Sequence, residues 1–423
     1  MNFKKIISCL FAVTLAFSFN ARAEGTQLET ASKNKAIIVV HGTVAGGLFY
    51  RDETCTKYYK NEAVWMPIDD QNKWRMIKGV AKFKLFYEDL FCDEDGNPLN
   101  QKIGLSLENQ KFPHEVDEKI AKYGVWYAHK TVIDTLTEEF PEHEVFLHNY
   151  DWRLDLDIAA ESLTKEIEKY DEVTLLGYSL GGIVSCKSAI QLYSLGKIDK
   201  IKKFITLATP YNGTMESLYV LEKGMQTEND FMSKVIEFLN IPSIISKMSH
   251  NCRNTYYMLP SKDYFERAKD GYVTTDSKGK AFDYEETLKF LKSRDYAKKS
   301  DGTNKPFLNK LNNVYDNLFV DGKHILNFLD YHLIVGCGLD TMSKMSVNPK
   351  KHGDIKILEY VDGDGSIALN ESAIPFDGIE DNRIFKAKGR HQFLIGDSKV
   401  VENIVSTIKN STCKSDEKLD LVS

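Results

Sequence analysis

Glu172-Val173-Thr174-Leu175-Leu176-Gly177-Tyr178-Ser179-Leu180-Gly181-Gly182 is the stretch whose reading decides the fold. Its first half is a short apolar and β-branched run, and Ile183 to Tyr193 behind it has the composition of a helix. Between the two lies a G-x-S-x-G, Gly177 to Gly181. In a strand–turn–helix this is a nucleophile elbow, so tight that small residues must flank the serine while its hydroxyl is held up at the sheet's edge. The first N–H groups of the following helix then face any negative charge forming beside that hydroxyl. The motif alone is common by chance. Its place between a strand and a helix makes Ser179 a candidate nucleophile for making or breaking an acyl bond.

Outward from this point, strands alternate with helices. Ala36 to Val40, Glu144 to His148, Phe204 to Ala208 and Tyr331 to Gly336 are apolar runs of the kind that buried parallel strands require, and Ile355 to Leu358 reads as a return to the same sheet. Gly124 to Phe140, Ile158 to Lys169 and Lys399 to Lys409 read as helices. The alternation predicts an α/β-hydrolase fold, a mostly parallel central sheet with helices on both faces. Its core is expected over residues 24–210 and 331–412, with an aromatic and charged insertion at 50–127. Residues 211–330 break the rhythm with short apolar pieces (Phe231 to Leu239, Ile244 to Met248) and a highly charged stretch at 260–310, and are read as a lid and cap. Residues 413–423 form a polar tail.

The N-terminus has its own signature. Lys4 and Lys5 precede a mostly apolar run from Ile6 to Phe17, and Ala21-Arg22-Ala23 suits cleavage, so residues 1–23 read as a secretory signal peptide. That run is too short for a membrane span. The expectation is an exported protein, periplasmic or extracellular and bacterial in style. Loss of Lys4, Lys5 and Arg22 takes the formal charge from −6 to −9, a balance that speaks against a nucleic-acid partner. Six cysteines remain in the mature 400 residues, and six allow fifteen pairings. Cys55 and Cys92, both in the loop-rich insertion, are the pair singled out; closing that loop would stabilise by roughly 4 kcal/mol on the chain-entropy estimate. There is no C-x-x-C and no His-x-Glu cluster, so no metal site and no cofactor is expected.

A serine hydroxyl needs a base within hydrogen-bond reach, and the base needs a carboxylate to fix its tautomer. In α/β-hydrolases these arrive in the order Ser, Asp or Glu, His. Tyr360-Val361-Asp362-Gly363-Asp364-Gly365-Ser366-Ile367 reads as a turn after a strand, with Asp364 the candidate acid and Asp362 the alternative. A D-G-D-G turn also suits a solvated loop or a calcium-like ligand run. His391, the last histidine in the chain, stands between a strand-like segment and the final helix and is the candidate base. His324 and His332 precede the acid, and His352 sits among lysines. For the oxyanion of a tetrahedral intermediate the expected donors are the N–H of Leu180 and that of Thr43, with Gly42, Gly46 and Gly47 letting the backbone come close. His41 is read as a brace for that loop.

Several motifs together resemble the lecithin–cholesterol acyltransferase and lysosomal phospholipase A family. Asn149 to Leu154 is similar to its Y-D-W-R signature, Leu176 to Gly181 to its nucleophile segment, and Leu207 to Gly213 to the loop before its lid. Gly336 to Thr341 is similar to its G-x-G-L-x-T turn, Tyr360 to Ala368 to its acid loop, and His391 to Ile408 to its C-terminus. The likeness spans roughly residues 36–410, loosely in the insertions; the strand-end turn His41-Gly42-Thr43 lacks the proline often found there. The resemblance implies a phospholipase A or acyltransferase acting at a phospholipid membrane or lipid-particle surface, with water, an alcohol or a sterol as acceptor. It implies that Cys55–Cys92 is a disulfide near the membrane-contacting region, that Trp65 is a candidate lipid-facing residue, with core packing equally open to it, and that residues of about 214–250 form a mobile lid. Asp151 and Arg153 are candidate substrate contacts, though the favoured reading is an ion-paired loop brace with Trp152 in the core. The remaining alternatives are a neutral-lipid lipase or short-chain esterase, a peptidase, and an exported lipid-binding protein without catalysis.

Overall fold

The computed structural model of the protein describes residues 34–51, 58–65, 90–105, 111–112, 125–226, 241–311 and 313–409, all within the compact unit Asn34–Ser423. The signal segment, Cys55, residues 227–240 and the tail lie outside the described residues.

The strands that build the central sheet begin with β1 (Lys35–Val40) and, after a small insertion sheet in which β2 (Leu48–Arg51) lies between β3 (Tyr58–Trp65) and β4 (Ile103–Gly104), the edge strand β5 (Lys111–Phe112). Helix α1 (Val125–Glu139) leads to β6 (His143–His148), α2 (Leu156–Ile167) to β7 (Glu172–Tyr178), and α3 (Leu180–Ser194) to β8 (Ile201–Leu207).

Residues 211–330 then contribute six described helices, α4 (Met215–Lys223), α5 (Ile241–Ser249), α6 (Arg253–Tyr257), α7 (Lys262–Arg267), α8 (Tyr284–Ser293) and α9 (Asn313–Asp316). The short strands β9 (Thr274–Asp276), β10 (Ala281–Phe282), β11 (Phe319–Val320) and β12 (Lys323–His324) lie among them. The chain closes with β13 (Tyr331–Cys337), β14 (Leu339–Val347), β15 (Ile355–Gly363), β16 (Ile384–Lys388) and α10 (Ser398–Lys409).

The central sheet runs β16-β13-β8-β7-β1-β6-β5. Every pairing in it is parallel except that of the edge strand β5. The apolar runs without alternation have a simple cause: both faces are covered. In β1, Ala36, Ile38 and Val40 pack with Leu163 and Val184 from α2 and α3, whereas Ile37 and Val39 pack with Val132, Leu136 and Ile404 from α1 and α10. Each fully buried Val, Leu or Ile contributes about 1.5–3 kcal/mol.

Ile355 to Leu358 does not return to this sheet. β15 is the edge of a separate sheet, order β10-β9-β14-β15, and runs antiparallel to β14. Its burial alternates residue by residue, the mark of a strand with one face in water. Leu358 on the wet face, next to Ile355 and Ile357, gave it the apolar content of a buried strand. This second sheet joins cap residues to the segment that carries Asp364. Tyr256, Tyr264, Phe265 and Phe290 of the cap belong to the same apolar cluster as β1 and β7. Within the cap a buried ion pair ties its parts together: Arg294 donates to Glu222 from Nε at 2.9 Å, and Tyr296 donates to the same carboxylate at 2.9 Å.

Candidate active site

Ser179 follows β7 directly and stands at the N-cap of α3 with φ 55° and ψ −127°. A non-glycine residue holds positive φ only where its surroundings impose it. Here the surroundings are tight. A Cβ on Gly181 would lie 2.1 Å from the Val40 carbonyl oxygen, and one on Gly182 2.0 Å from Thr209 Oγ1. Substituents there would push α3 off the strand ends. The serine N–H donates to Leu207 O at 2.8 Å, which ties the elbow to β8.

The loop after β1 comes up against the serine: a Cβ on Gly42 would be 2.8 Å from that of Ser179. His41 braces this loop, as its position suggested. Its Nδ1 donates to Gly42 O at 2.8 Å, its Nε2 accepts from Tyr150 N at 3.2 Å, and its ring stacks on Tyr150 at 4.1 Å. Burial pushes its pKa down to about 3, so it stays neutral. Thr43, next in the loop, sends its Oγ1 toward Met258 Sδ at 3.4 Å, and Leu180 is buried in the first turn of α3.

Asp364 leaves the end of β15 on the loop that Gly365, at φ 91°, turns back. One carboxylate oxygen, Oδ1, accepts from Ser366 N at 3.0 Å and Ile367 N at 2.7 Å. The other, Oδ2, lies 2.7 Å from His391 Nδ1. Gly336 on β13 makes room, since a Cβ there would meet that of Asp364 at 2.4 Å. Asp362, the alternative acid, accepts from Gly338 N at 2.5 Å instead.

His391 opens a turn after β16, and its N–H donates to Asp364 O at 2.9 Å. Its Nε2 lies 3.0 Å from Ser179 Oγ. Three residues from three chain segments thus form one hydrogen-bonded line. Burial alone would lower the imidazole's pKa, but the Asp364 carboxylate, with Glu216 behind it, outweighs that and holds it above the ordinary histidine value. His324 and His332 are buried elsewhere, each pushed down to about 4 by burial.

Two partners of this line were not singled out in the sequence. Tyr178 donates its hydroxyl to His391 O at 2.6 Å and stacks on the imidazole at 5.4 Å. Its place before the serine was the available signal, but the partner is 213 residues away. The second is Glu216, in the first turn of α4.

Asp151 and Arg153 form the ion-paired loop brace and not the alternative substrate contacts. Both are buried, and Arg153 grips Asp151 through Nε at 2.9 Å and Nη2 at 2.7 Å, while Nη2 also donates to Ile103 O at 3.0 Å. The pair braces the loop that buries Trp152. Trp65 ends β3 with its backbone opposite Leu48; its side chain, and the pairing of buried Cys92 with Cys55, lie outside the described residues. Among the described residues, no group of three or more His, Cys, Asp or Glu is placed to hold a metal ion.

Among solved structures, the chain is similar to the crystal structure of a Tle4–Tli4 complex, with 12% identity, 90% of this chain and 99% of that one covered, and a TM-score of 0.54. It is also similar to the mature lipase BlEst2 of Bacillus licheniformis, with 11% identity, 90% and 96% covered and a TM-score of 0.33. No curated protein sequence matches it. The lecithin:cholesterol acyltransferase family profile matches residues 115–367, more than half of the chain, including Ser179 and Asp364 but ending before His391. The chain belongs to the lecithin:cholesterol acyltransferase family and is, on the α/β-hydrolase fold, a lipid acyl-ester hydrolase or acyltransferase.

Proposed function

We propose that the protein is an exported serine phospholipase A or acyltransferase that cleaves a glycerophospholipid acyl ester through an acyl-serine intermediate. The observation that carries this reading is the line Asp364 Oδ2–His391 Nδ1–His391 Nε2–Ser179 Oγ, with spacings of 2.7 and 3.0 Å, in a chain of this family.

His391 Nε2 takes the hydroxyl proton as Ser179 Oγ attacks the ester carbonyl. Asp364 keeps the Nδ1–H tautomer and stabilises the imidazolium. The N–H groups of Leu180 and Thr43 hold the oxyanion, and loss of one such donor costs about 10²–10³ in rate. The imidazolium returns its proton to the departing lysophospholipid oxygen. Water or a second alcohol, deprotonated by the same imidazole, then releases the acyl group. Substrate reaches the site at a membrane or lipid-particle surface, outside the cytoplasm, after loss of residues 1–23.

Incubating the mature protein with phosphatidylcholine vesicles, with and without cholesterol, tests this. Free fatty acid with lysophospholipid is the expected product, and steryl ester in addition would make the protein a transferase. Turnover of triacylglycerol or short-chain esters with none of phosphatidylcholine would replace the phospholipid reading by that of a neutral-lipid lipase or esterase.

A further inference from the structure

We propose that Asn149 and Tyr150 are positioning residues for the oxyanion hole, which clamp the loop after β1 and hold the Thr43 N–H in place for the developing charge. The inference rests on the acyl-serine reading above and gives the first two residues of the Asn149–Leu154 motif their task.

The topology makes such a clamp possible. β1 lies between β7 and β6, and Val40 at its end is level with Gly177 on one side and His148 on the other. The loop from His41 to Gly47 therefore leaves the sheet with Ser179 on one flank and Asn149-Tyr150 on the other. On the first flank it presses on the elbow, Gly42 against the Ser179 side chain and Gly181 against the carbonyls of Val40 and His41.

On the second flank four hydrogen bonds hold both ends of the loop. Asn149 Oδ1 accepts from Gly47 N at 3.0 Å and its Nδ2 donates to Gly47 O at 3.0 Å, which ties the far end. Tyr150 N donates to His41 Nε2 at 3.2 Å and its hydroxyl donates to His41 O at 2.8 Å, which ties the start. The two rings lie 4.1 Å apart and within 2° of parallel. Asn149 and His41 are fully buried and Tyr150 nearly so, where a hydrogen bond is stronger than in water.

Between its tied ends the loop is strained. Val44 has φ 54°, which a β-branched residue adopts only where its surroundings impose it. Gly42 O accepts from Ala45 N at 3.3 Å across this turn. Gly46 has no room for a side chain, since a Cβ there would lie 2.3 Å from His41 Nε2 and 2.8 Å from Asn149 Oδ1. Released at either end, the turn would relax out of this shape. Among the described residues, the Thr43 N–H within it has no acceptor of its own, which leaves it for the substrate oxygen. Asn149 and Tyr150 act through the loop and not on the reacting atoms.

A trifluoromethyl ketone reads the hole directly. Ser179 Oγ adds to its carbonyl carbon, the serine proton passes to His391 Nε2, and the carbonyl oxygen becomes an oxyanion. The matching trifluoromethyl carbinol has no carbonyl, forms no adduct and reads the rest of the pocket. The affinity of the mature protein for each, measured as protection of Ser179 from labelling by a fluorophosphonate, needs no lipid substrate. In Asn149→Ala the ketone should bind about 10–100-fold more weakly, somewhat less than the loss of a whole donor, while the carbinol binds as in wild type. Tyr150→Phe keeps the ring and loses one of the four bonds, and should weaken the ketone by about 3–10-fold. A clamp with only a structural role would lower the yield of labelled protein and leave the ratio of ketone to carbinol affinity unchanged. An unchanged ratio in Asn149→Ala overturns the proposal. If that variant fails to fold, an unchanged ratio in Tyr150→Phe does the same. Wild type that no fluorophosphonate labels overturns the acyl-serine reading itself, whereas labelled wild type with unchanged ratios in the variants overturns this inference alone.

Discussion

Replacing Asp364 by Asn tests the hydrogen-bonded line at its most constrained point. Asp364 Oδ1 accepts two backbone N–H groups, from Ser366 at 3.0 Å and Ile367 at 2.7 Å. An amide nitrogen cannot accept either of them, so the Asn oxygen must take that position and its NH₂ must face His391. The imidazole then has to present Nδ1 as an acceptor, which puts its proton on Nε2, pointing at Ser179 Oγ. A base turned into a donor cannot take the serine's proton. The same substitution in a serine protease triad lowers kcat by about 10⁴, or about 5.4 kcal/mol of barrier, and a loss of that order is expected here. Folding should change little, because the two backbone bonds survive. Turnover of a chromogenic ester, read beside a thermal melt, checks both halves. Activity within about tenfold of wild type, with an unaltered melt, would refute the tautomer argument.

Ser179→Ala should lower kcat by about 10⁶, by analogy with a bacterial serine protease, with the melt unchanged. The acid limb of kcat/KM should lie above the ordinary histidine value of about 6.5, because Asp364 and Glu216 more than offset the effect of burial on His391; a limb below that value would contradict it. The stability contribution of the same group has the opposite sign. A raised folded-state pKa stabilises fully below the unfolded value and is lost as pH rises through the folded one, so urea midpoints of Ser179→Ala and Ser179→Ala/His391→Gln should converge toward alkaline pH. Arg153→Ala leaves Asp151 buried without its partner and should cost about 3–5 kcal/mol, measured by urea unfolding. Gly181→Ala places a methyl 2.1 Å from Val40 O, a backbone atom in the middle of the fold, and should abolish labelling of Ser179 while leaving little soluble protein.

The elbow was legible because its requirements are local: Gly177, Gly181 and Gly182 have no room for a side chain, and β1, β7, β8 and β13 are buried on both faces, so composition alone marks them. The order Ser179, Asp364, His391 was legible as a pattern, and the glycines around Asp364 pointed to the right carboxylate. β15 was misread because the exposed Leu358, beside Ile355 and Ile357, imitates a buried run when alternation is ignored. β14, nine residues long, went unread; its Lys344 is buried by an ion pair with Glu359 of β15, so polarity hid a core strand. Tyr178 and Glu216 could not be assigned roles at all. Their partners stand far along the chain, and only the folded topology brings them together.

The imidazole sits 212 residues downstream of the hydroxyl it serves, on the turn that follows the last strand added to the sheet's edge. During synthesis the serine leaves the ribosome well before the base. Until β16 has docked on β13, Ser179 Oγ has no imidazole beside it to take its proton. A chain whose C-terminal edge strand is undocked would therefore lack the base of its own active site.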